Sequence, residues 1–481
     1  MGVKRNFTYS SILTLSSYFF PLITYPYVSC ILGVSGIGTV NFVDSIIEYA
    51  ILISMMGISI VGIREIAAHK TDKARLSGTF SSLFVLNAAS TAIAIGIVTV
   101  AMFTVPQLQP HKNLLSIGLC KLLMNLFLTE WLFIGLEDFA YITKRALLVK
   151  CLYVAGIFIF IRDASDITHY YTLTVSSVAI NALINIGYAR KTVRFSLRNI
   201  NVKPYLSKYF SNGIYKLVSS LYLSMNVAWL GFITDTIQVG YYTTATKLYT
   251  IIIALFTAFT SVMLPRLSSL LVEHKTDEYW QKIRLSTEAV LFFSFPVITY
   301  CMVFGDRILL TLVGKGFEGA YLPFRLIIPL VLIIGMSQIF VIQILLPMKK
   351  DYKVLRNTTM GAVGAIVINL SIVRYLGATG SAITWICSEM IVLIASYKTI
   401  QGFATFRIPY KRILKYAMAY MPLLVALVVL HGIDIFGNLP LVILTTILTI
   451  AYSVFIQQKY LASDIYKMLL QYTKLDRLTS K

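Results

Sequence analysis

The chain has 481 residues, of which 57% are hydrophobic and only 13% charged, and its mean hydropathy is +0.76. Soluble domains hold about 45–50% apolar and about 25% charged residues, so no aqueous fold could bury this excess. Disorder, collagen and a coiled coil fail on the same numbers. A net charge of +21 raises nucleic acid as a partner, and the placement of the charges removes it.

A spanning helix needs about 20 apolar residues, because the hydrocarbon core is about 30 Å thick. Taken in chain order, the sequence predicts fourteen such spans. The first six cover 8–32, 39–63, 79–103, 113–136, 141–161 and 167–189. The next six cover 207–233, 238–264, 285–305, 321–346, 356–373 and 380–397, and the last two 413–430 and 440–457. Pro21 and Pro26 are expected to kink the first span and free carbonyls in it. That first apolar stretch is too long for a cleavable signal and lacks a small-x-small cleavage site. The longest inner loop, 190–206, follows the sixth span. The division it suggests is a six-helix lobe over 1–195, a second over 196–404, and two extra helices with a tail over 405–481. Cys30, Cys120, Cys151, Cys301 and Cys387 lie in or beside apolar stretches. They read as small apolar packers, with neither disulfide nor metal-ligand spacing. No cofactor is expected.

The Lys and Arg residues alternate between loops. The N-terminus, every second loop and the C-terminal tail together hold 31 of the 42, and the intervening loops hold 5. Such asymmetry is the positive-inside signal. It places both termini in the cytoplasm and accounts for the charge by basic loops facing an anionic leaflet. Nucleic acid is therefore not expected as a partner.

An internal repeat is visible. Gly38 opens the second span and Arg64 closes it 26 residues later; Gly240 and Arg266 bracket the eighth at the same spacing. His69-Lys70-Thr71-Asp72 follows the first pair, and His274-Lys275-Thr276-Asp277 the second. Asp138-Phe139 and Asp351-Tyr352 align later in the two halves. Both halves begin on the same side, so the repeat is parallel, an arrangement that transporters use with the substrate between halves.

Polar residues inside spans form stripes at helical spacing. Ser10, Thr14, Ser17, Pro21 and Thr24 share one face of span 1; Asn212, Lys216, Ser219 and Asn226 share one of span 7. Thr243, Lys247, Thr250, Thr257 and Ser261 share one of span 8, and Asp44 and Glu48 one of span 2. A hydrophilic cavity between halves has this pattern; hydroxyls bonding their own helix carbonyls would give it too. Lys216 and Lys247 lie near mid-membrane, where an insertion scale charges about 2.5–3.5 kcal/mol for a Lys. Pairing of Lys247 with Asp44 or Glu48 is the packing alternative. Lys121, Glu130, Glu288 and Glu389 read as nearer span edges, in interfacial or snorkelling roles.

The stretches PLITYPYVSCILGVSGIGTVNF (21–42), MGISIVGIREIAAHKTD (56–72) and TEWLFIGLEDFAYI (129–142) resemble the signature of Wzx-type polysaccharide flippases. That family lies in the multidrug/oligosaccharidyl-lipid/polysaccharide exporter superfamily. In the second half, QILLPMKKDYKVL (343–355), the glycine-alanine pattern at 377–382 and Ser388-Glu389 are similar as well. The resemblance covers nearly the whole chain. One departure is Cys30, where these flippases often carry Arg, so an anion site must rest on other residues.

The resemblance implies an all-α polytopic membrane protein with a V-shaped pair of six-helix lobes and about fourteen spans. It implies a non-enzymatic flippase of the bacterial inner membrane, moving undecaprenyl-pyrophosphate-linked oligosaccharide outward by alternating access for O-antigen, capsule or exopolysaccharide. Membrane lipids, a polysaccharide polymerase and a chain-length regulator are the expected partners. The substrate-binding residues would be Lys216, Lys247, Asn212, Asn226, Thr14, Ser17, Thr24 and Thr250. Asp44 and Glu48 would couple an ion, with no metal ligand and no catalytic residue. The alternative is a drug or cation antiporter of the same superfamily, which would favour net carboxylates in the cavity. A membrane enzyme would call for a long outer loop or an Asp-x-Asp motif at the outer surface; the outer loops are short, and Asp163 and Asp166 are three apart.

Overall fold

The computed structural model describes residues 3–196, 200–404, 406–432, 437–461 and 465–466. Several helix side chains, including those of Lys216 and Ser219, lie outside the described ones. Every regular element among the described residues is helical. The chain forms two compact units, Met1–Gly240 and Tyr241–Lys481.

The first unit opens with α1 (Val3–Met55), far longer than one crossing requires. Helical dihedrals continue through Pro21 and Pro26 and break at Gly33 (φ 67°, ψ 177°). The prolines therefore leave the dihedrals helical, and the turn between the first two predicted spans is a single glycine. Only a residue without Cβ sits readily in that region. Next come α2 (Ile58–His69), α3 (Lys73–Thr104), α4 (Lys112–Leu128) and α5 (Glu130–Gly135). Left-handed Met56 (φ 36°) precedes α2, and left-handed Thr129 (φ 42°) separates α4 from α5. Then follow α6 (Phe139–Phe160), α7 (Ile167–Thr192) and α8 (Lys203–Ile233).

Aspartates start two of these helices. The Asp72 carboxylate accepts the N–H groups of Ala74 and Arg75, and that of Asp138 accepts the N–H of Tyr141. Each satisfies donors that a helix start leaves open. The second copy of the tetrapeptide runs into the first turn of α10, yet there Lys275 holds the cap position without a side-chain bond.

The first unit includes α8, which packs on α1 and α2. The hydroxyl of buried Tyr209 on α8 donates to the Ser54 carbonyl (3.2 Å) and lies within hydrogen-bonding distance of the Ser90 hydroxyl (3.1 Å). At one end of this unit Trp131 stacks on Phe80 at 5.5 Å, and Gly62 admits the indole where a Cβ would collide with it.

The second unit contains α9 (Thr236–Val272) beyond its first turn, then α10 (Thr276–Val313), α11 (Tyr321–Ile327) and α12 (Leu330–Gln338). A π-helical stretch, Ile339–Leu345, continues α12. α13 (Asp351–Gln401) is again double length and breaks at Gly377 (φ 52°, ψ −128°). α14 (Tyr410–Gly432) and α15 (Asn438–Lys459) pack against α10. Tyr416, Tyr420, Leu423, Leu427 and Leu441 form a core there with Leu291 and Phe304.

Among the described residues, nine helices are long and apolar enough to cross a membrane. Their outward faces stay apolar: Ile93 is 62% exposed and Ile447 60%. Such surfaces have no stable contact with water. The helices also satisfy their own backbone groups, as lipid demands. The chain is a multi-pass membrane protein.

Candidate functional site

Beyond the Gly33 break, α1 carries Asp44 and Glu48 one turn apart. Lys121 of α4 reaches both, with its ammonium 2.7 Å from Asp44 Oδ1 and 2.6 Å from Glu48 Oε1. Tyr171 of α7 donates its hydroxyl to the same Asp44 oxygen at 3.1 Å. Gly118, one turn before Lys121, makes the approach possible, because a Cβ there would overlap Ile47 and the Tyr171 hydroxyl. Lys121 is 7% exposed, whereas the Glu48 side chain is 54% exposed. Two carboxylates thus share one ammonium, leaving the cluster one negative charge in excess. One proton or one monovalent cation would balance that charge, and the more exposed carboxylate is Glu48.

This corrects two expectations. Lys121 is interior, not interfacial: it stands nine residues past Lys112, roughly 14 Å at 1.5 Å per residue. It is also the counter-ion of the acidic pair, the role considered for Lys247. Depth counted from the helix start would have located it; distance from the edge of the apolar run obscured it.

A second cation was missed in the sequence. Lys150 of α6 donates to the hydroxyls of Ser16 (2.8 Å) and Ser17 (3.0 Å) on α1. Two turns earlier on the same helix, the Thr143 hydroxyl donates to the Tyr9 carbonyl. The seven-residue spacing puts both on one face of α6, against the first half of α1. Arg145, on a different face, is buried and binds Glu130 (2.7 Å) and the Asn185 amide oxygen (2.5 Å). Tyr141 donates to that same oxygen.

The remaining expected residues are placed individually. Thr14, Ser17 and Thr24 each donate to the carbonyl of Ser10, Leu13 and Phe20, so this stripe bonds its own helix. Thr14 and Ser17 are exposed and Thr24 is buried. The Asn212 amide donates to the Lys208 carbonyl, and Asn226 is buried. On α9, Lys247 and Thr250 are three residues apart and both exposed, and Thr250 donates to the Thr246 carbonyl. Lys216 belongs to α8, but its side chain lies outside the described ones. Glu389 also needs correction: it is 6% exposed, with the Trp385 indole N–H 3.4 Å away. It lies twelve residues past Gly377, well inside the second half of α13. Among the described residues no group of His, Cys, Asp and Glu could hold a metal.

Known proteins resemble this chain along most of its length. A protein named "Putative O-antigen transporter" from Escherichia coli (strain K12) is 24% identical over 406 residues, covering 82% of this chain and 95% of that protein. One of the same name from Shigella dysenteriae is 23% identical over 406 residues, covering 83% and 100%. The lipid II flippase MurJ in an inward closed conformation superposes with a TM-score of 0.77 at 14% identity, covering 96% of this chain and all of that one. An inward-facing multidrug resistance MATE family transporter of the MOP superfamily gives 0.64 at 14% identity, covering 82% and 98%. These two likenesses show the fold, which is shared with MurJ and with that MATE family transporter. The family described as "Polysaccharide biosynthesis protein" matches residues 3–271, more than half of the chain. The chain belongs to that polysaccharide biosynthesis protein family, in keeping with the flippase signature of its motifs.

Proposed function

We propose that the protein flips undecaprenyl-pyrophosphate-linked oligosaccharide across the bacterial inner membrane by alternating access, supplying surface polysaccharide synthesis. The observation carrying this reading is the full-length likeness to a lipid II flippase in a chain of the polysaccharide biosynthesis family. Both termini lie in the cytoplasm in this reading, on the side of the basic loops. Fourteen spans follow when α1 and α13 each count twice at their glycine breaks and when α6, α8 and α9 join the other apolar helices. A six-helix lobe over 1–195, a second over 196–404 and two added helices remain the proposed repeat layout. A polymerase and a chain-length regulator are the proposed protein partners.

The pyrophosphate and an acidic glycan call for cations, and charge-assisted hydrogen bonds are the strong ones. Lys216 and Lys247 are the proposed pyrophosphate contacts, while Asn212, Asn226, Thr14, Ser17, Thr24 and Thr250 are proposed for the sugars. Asp44 and Glu48 form the proposed coupling site, since the Lys121 cluster is one positive charge short. The test is surface glycan display in cells lacking the endogenous flippase. Lys216→Gln and Lys247→Gln should each lower it at least about tenfold with normal membrane insertion, and Lys→Arg should retain more. Asp44→Asn or Glu48→Gln should abolish its dependence on the ion gradient. Full display with Gln at both lysines would exclude them as substrate contacts. The acidic excess at Asp44 and the MATE likeness favour an antiporter as the second reading; ethidium efflux without glycan display would select it.

A further inference from the structure

A groove of about 840 Å³ opens within the second unit, where the first turns of α10 meet the segment leading into α14. Trp280 and Phe406 stack across it at 6.1 Å between ring centres. Three guanidinium groups line it, those of Arg284, Arg407 and Arg412. Arg412 is committed: its Nε lies 2.7 Å from Glu288, and it also donates to the Leu461 carbonyl. Arg284 and Arg407 are exposed and have no ion-pair partner among the described residues. One further carboxylate, Asp277, lines the groove. Two uncommitted cations therefore face one carboxylate, in a recess floored by aromatic rings.

The surroundings point to lipid. Leu414, Met418, Met421 and Val425 are 61%, 58%, 58% and 62% exposed. Their 4-3-4 spacing makes one apolar stripe down the side of α14 turned away from α10, which shows that this helix meets lipid. Trp and other aromatics gather at the membrane–water boundary, and basic pockets between spanning helices suit anionic headgroups. The groove lies at the basic-loop end of two helices that cross the membrane, where phospholipid headgroups are the abundant phosphates.

We infer that this groove binds the phosphate headgroup of an anionic phospholipid of the leaflet facing the basic loops, with Arg284 and Arg407 holding the phosphate. It is a site for a resident lipid, separate from the transported glycan, and needs only the membrane location.

The full-length protein, incubated in phosphatidylcholine vesicles with and without phosphatidylglycerol and repurified, would be assayed for retained phosphatidylglycerol by native mass spectrometry. Each basic group near an anionic surface contributes about fivefold, so Arg284→Gln with Arg407→Gln should cut retention at least about fivefold. Lys191→Gln with Arg194→Gln, which removes the same charge from the end of the first unit, should change it less than about twofold. Lysine at 284 and 407 should preserve retention, which guards against misfolding of the glutamine variant. Equal loss in the control pair would overturn the inference. So would displacement by millimolar inorganic phosphate, which would mark a free-anion site, or by an equimolar short prenyl pyrophosphate, which would mark a substrate site. Retention is read without transport, so it stands or falls separately from the flippase reading.

Discussion

Lys121, on α4, holds the first unit's acidic cluster together with a buried ammonium, while Asp44 is partly and Glu48 half exposed. Removing one partner of a fully buried pair typically costs about 3–5 kcal/mol, and the exposure of the two carboxylates here lowers that to about 1–3 kcal/mol. Lys121→Ala should therefore lower the stability of the detergent-purified protein by about that amount. Adding Asp44→Asn and Glu48→Gln to it should restore most of the loss. A thermal melt decides this: a single variant no less stable than Lys112→Ala, at the helix end, would show that the ammonium is dispensable. The acidic pair itself was legible, because two carboxylates four apart in an apolar run declare a shared face. Its partner was not, because α4 and α7 come to it from 77 and 127 residues away. Lys150 escaped for the same reason. One of its hydroxyl partners on α1, Ser17, appeared in a stripe and the other, Ser16, did not, and a stripe does not name the helix it faces.

At the scale of elements, the sequence located breaks better than it explained them. The boundaries between spans 1 and 2 and between spans 11 and 12 fall at Gly33 and Gly377, each flanked by apolar runs too long for one crossing. Pro21 and Pro26 stay within helical dihedrals, so the turn between the first two spans is made at Gly33 and not at a proline. A helix can absorb proline where neighbouring groups satisfy the freed carbonyls, and only positive φ in a region closed to other residues forces a turn. Nothing lies within 4 Å of a Cβ placed on Gly33, so its substitution is opposed by backbone strain alone. Gly33→Ala should destabilise by about 1–3 kcal/mol. Gly96 has equally open space and lies inside α3 without positive φ, so Gly96→Ala should stabilise by about 0.5–1 kcal/mol. Melting temperatures that move the same way in both variants would contradict the assignment of Gly33 as a strained turn.

For the whole molecule, composition settled the solvent and the order of motifs settled the family. Apolar fraction and loop charge are sums over the entire chain, so errors at single residues do not disturb them. The binding site was less legible, because contacts between distant helices leave no trace in local spacing. Lys247 and Thr250 illustrate this: their spacing places them on one exposed face of α9, and spacing alone does not say what they meet. The central claim concerns what crosses the membrane. The direct measurement is the outward transfer of an undecaprenyl-pyrophosphate-linked glycan in proteoliposomes containing the purified protein, read by a glycan-specific lectin added outside. The account predicts transfer well above protein-free vesicles, reduced at least about tenfold by Lys247→Gln and less by Lys247→Arg. Lectin-accessible glycan no greater than in protein-free vesicles, in a preparation that exports ethidium, would contradict it.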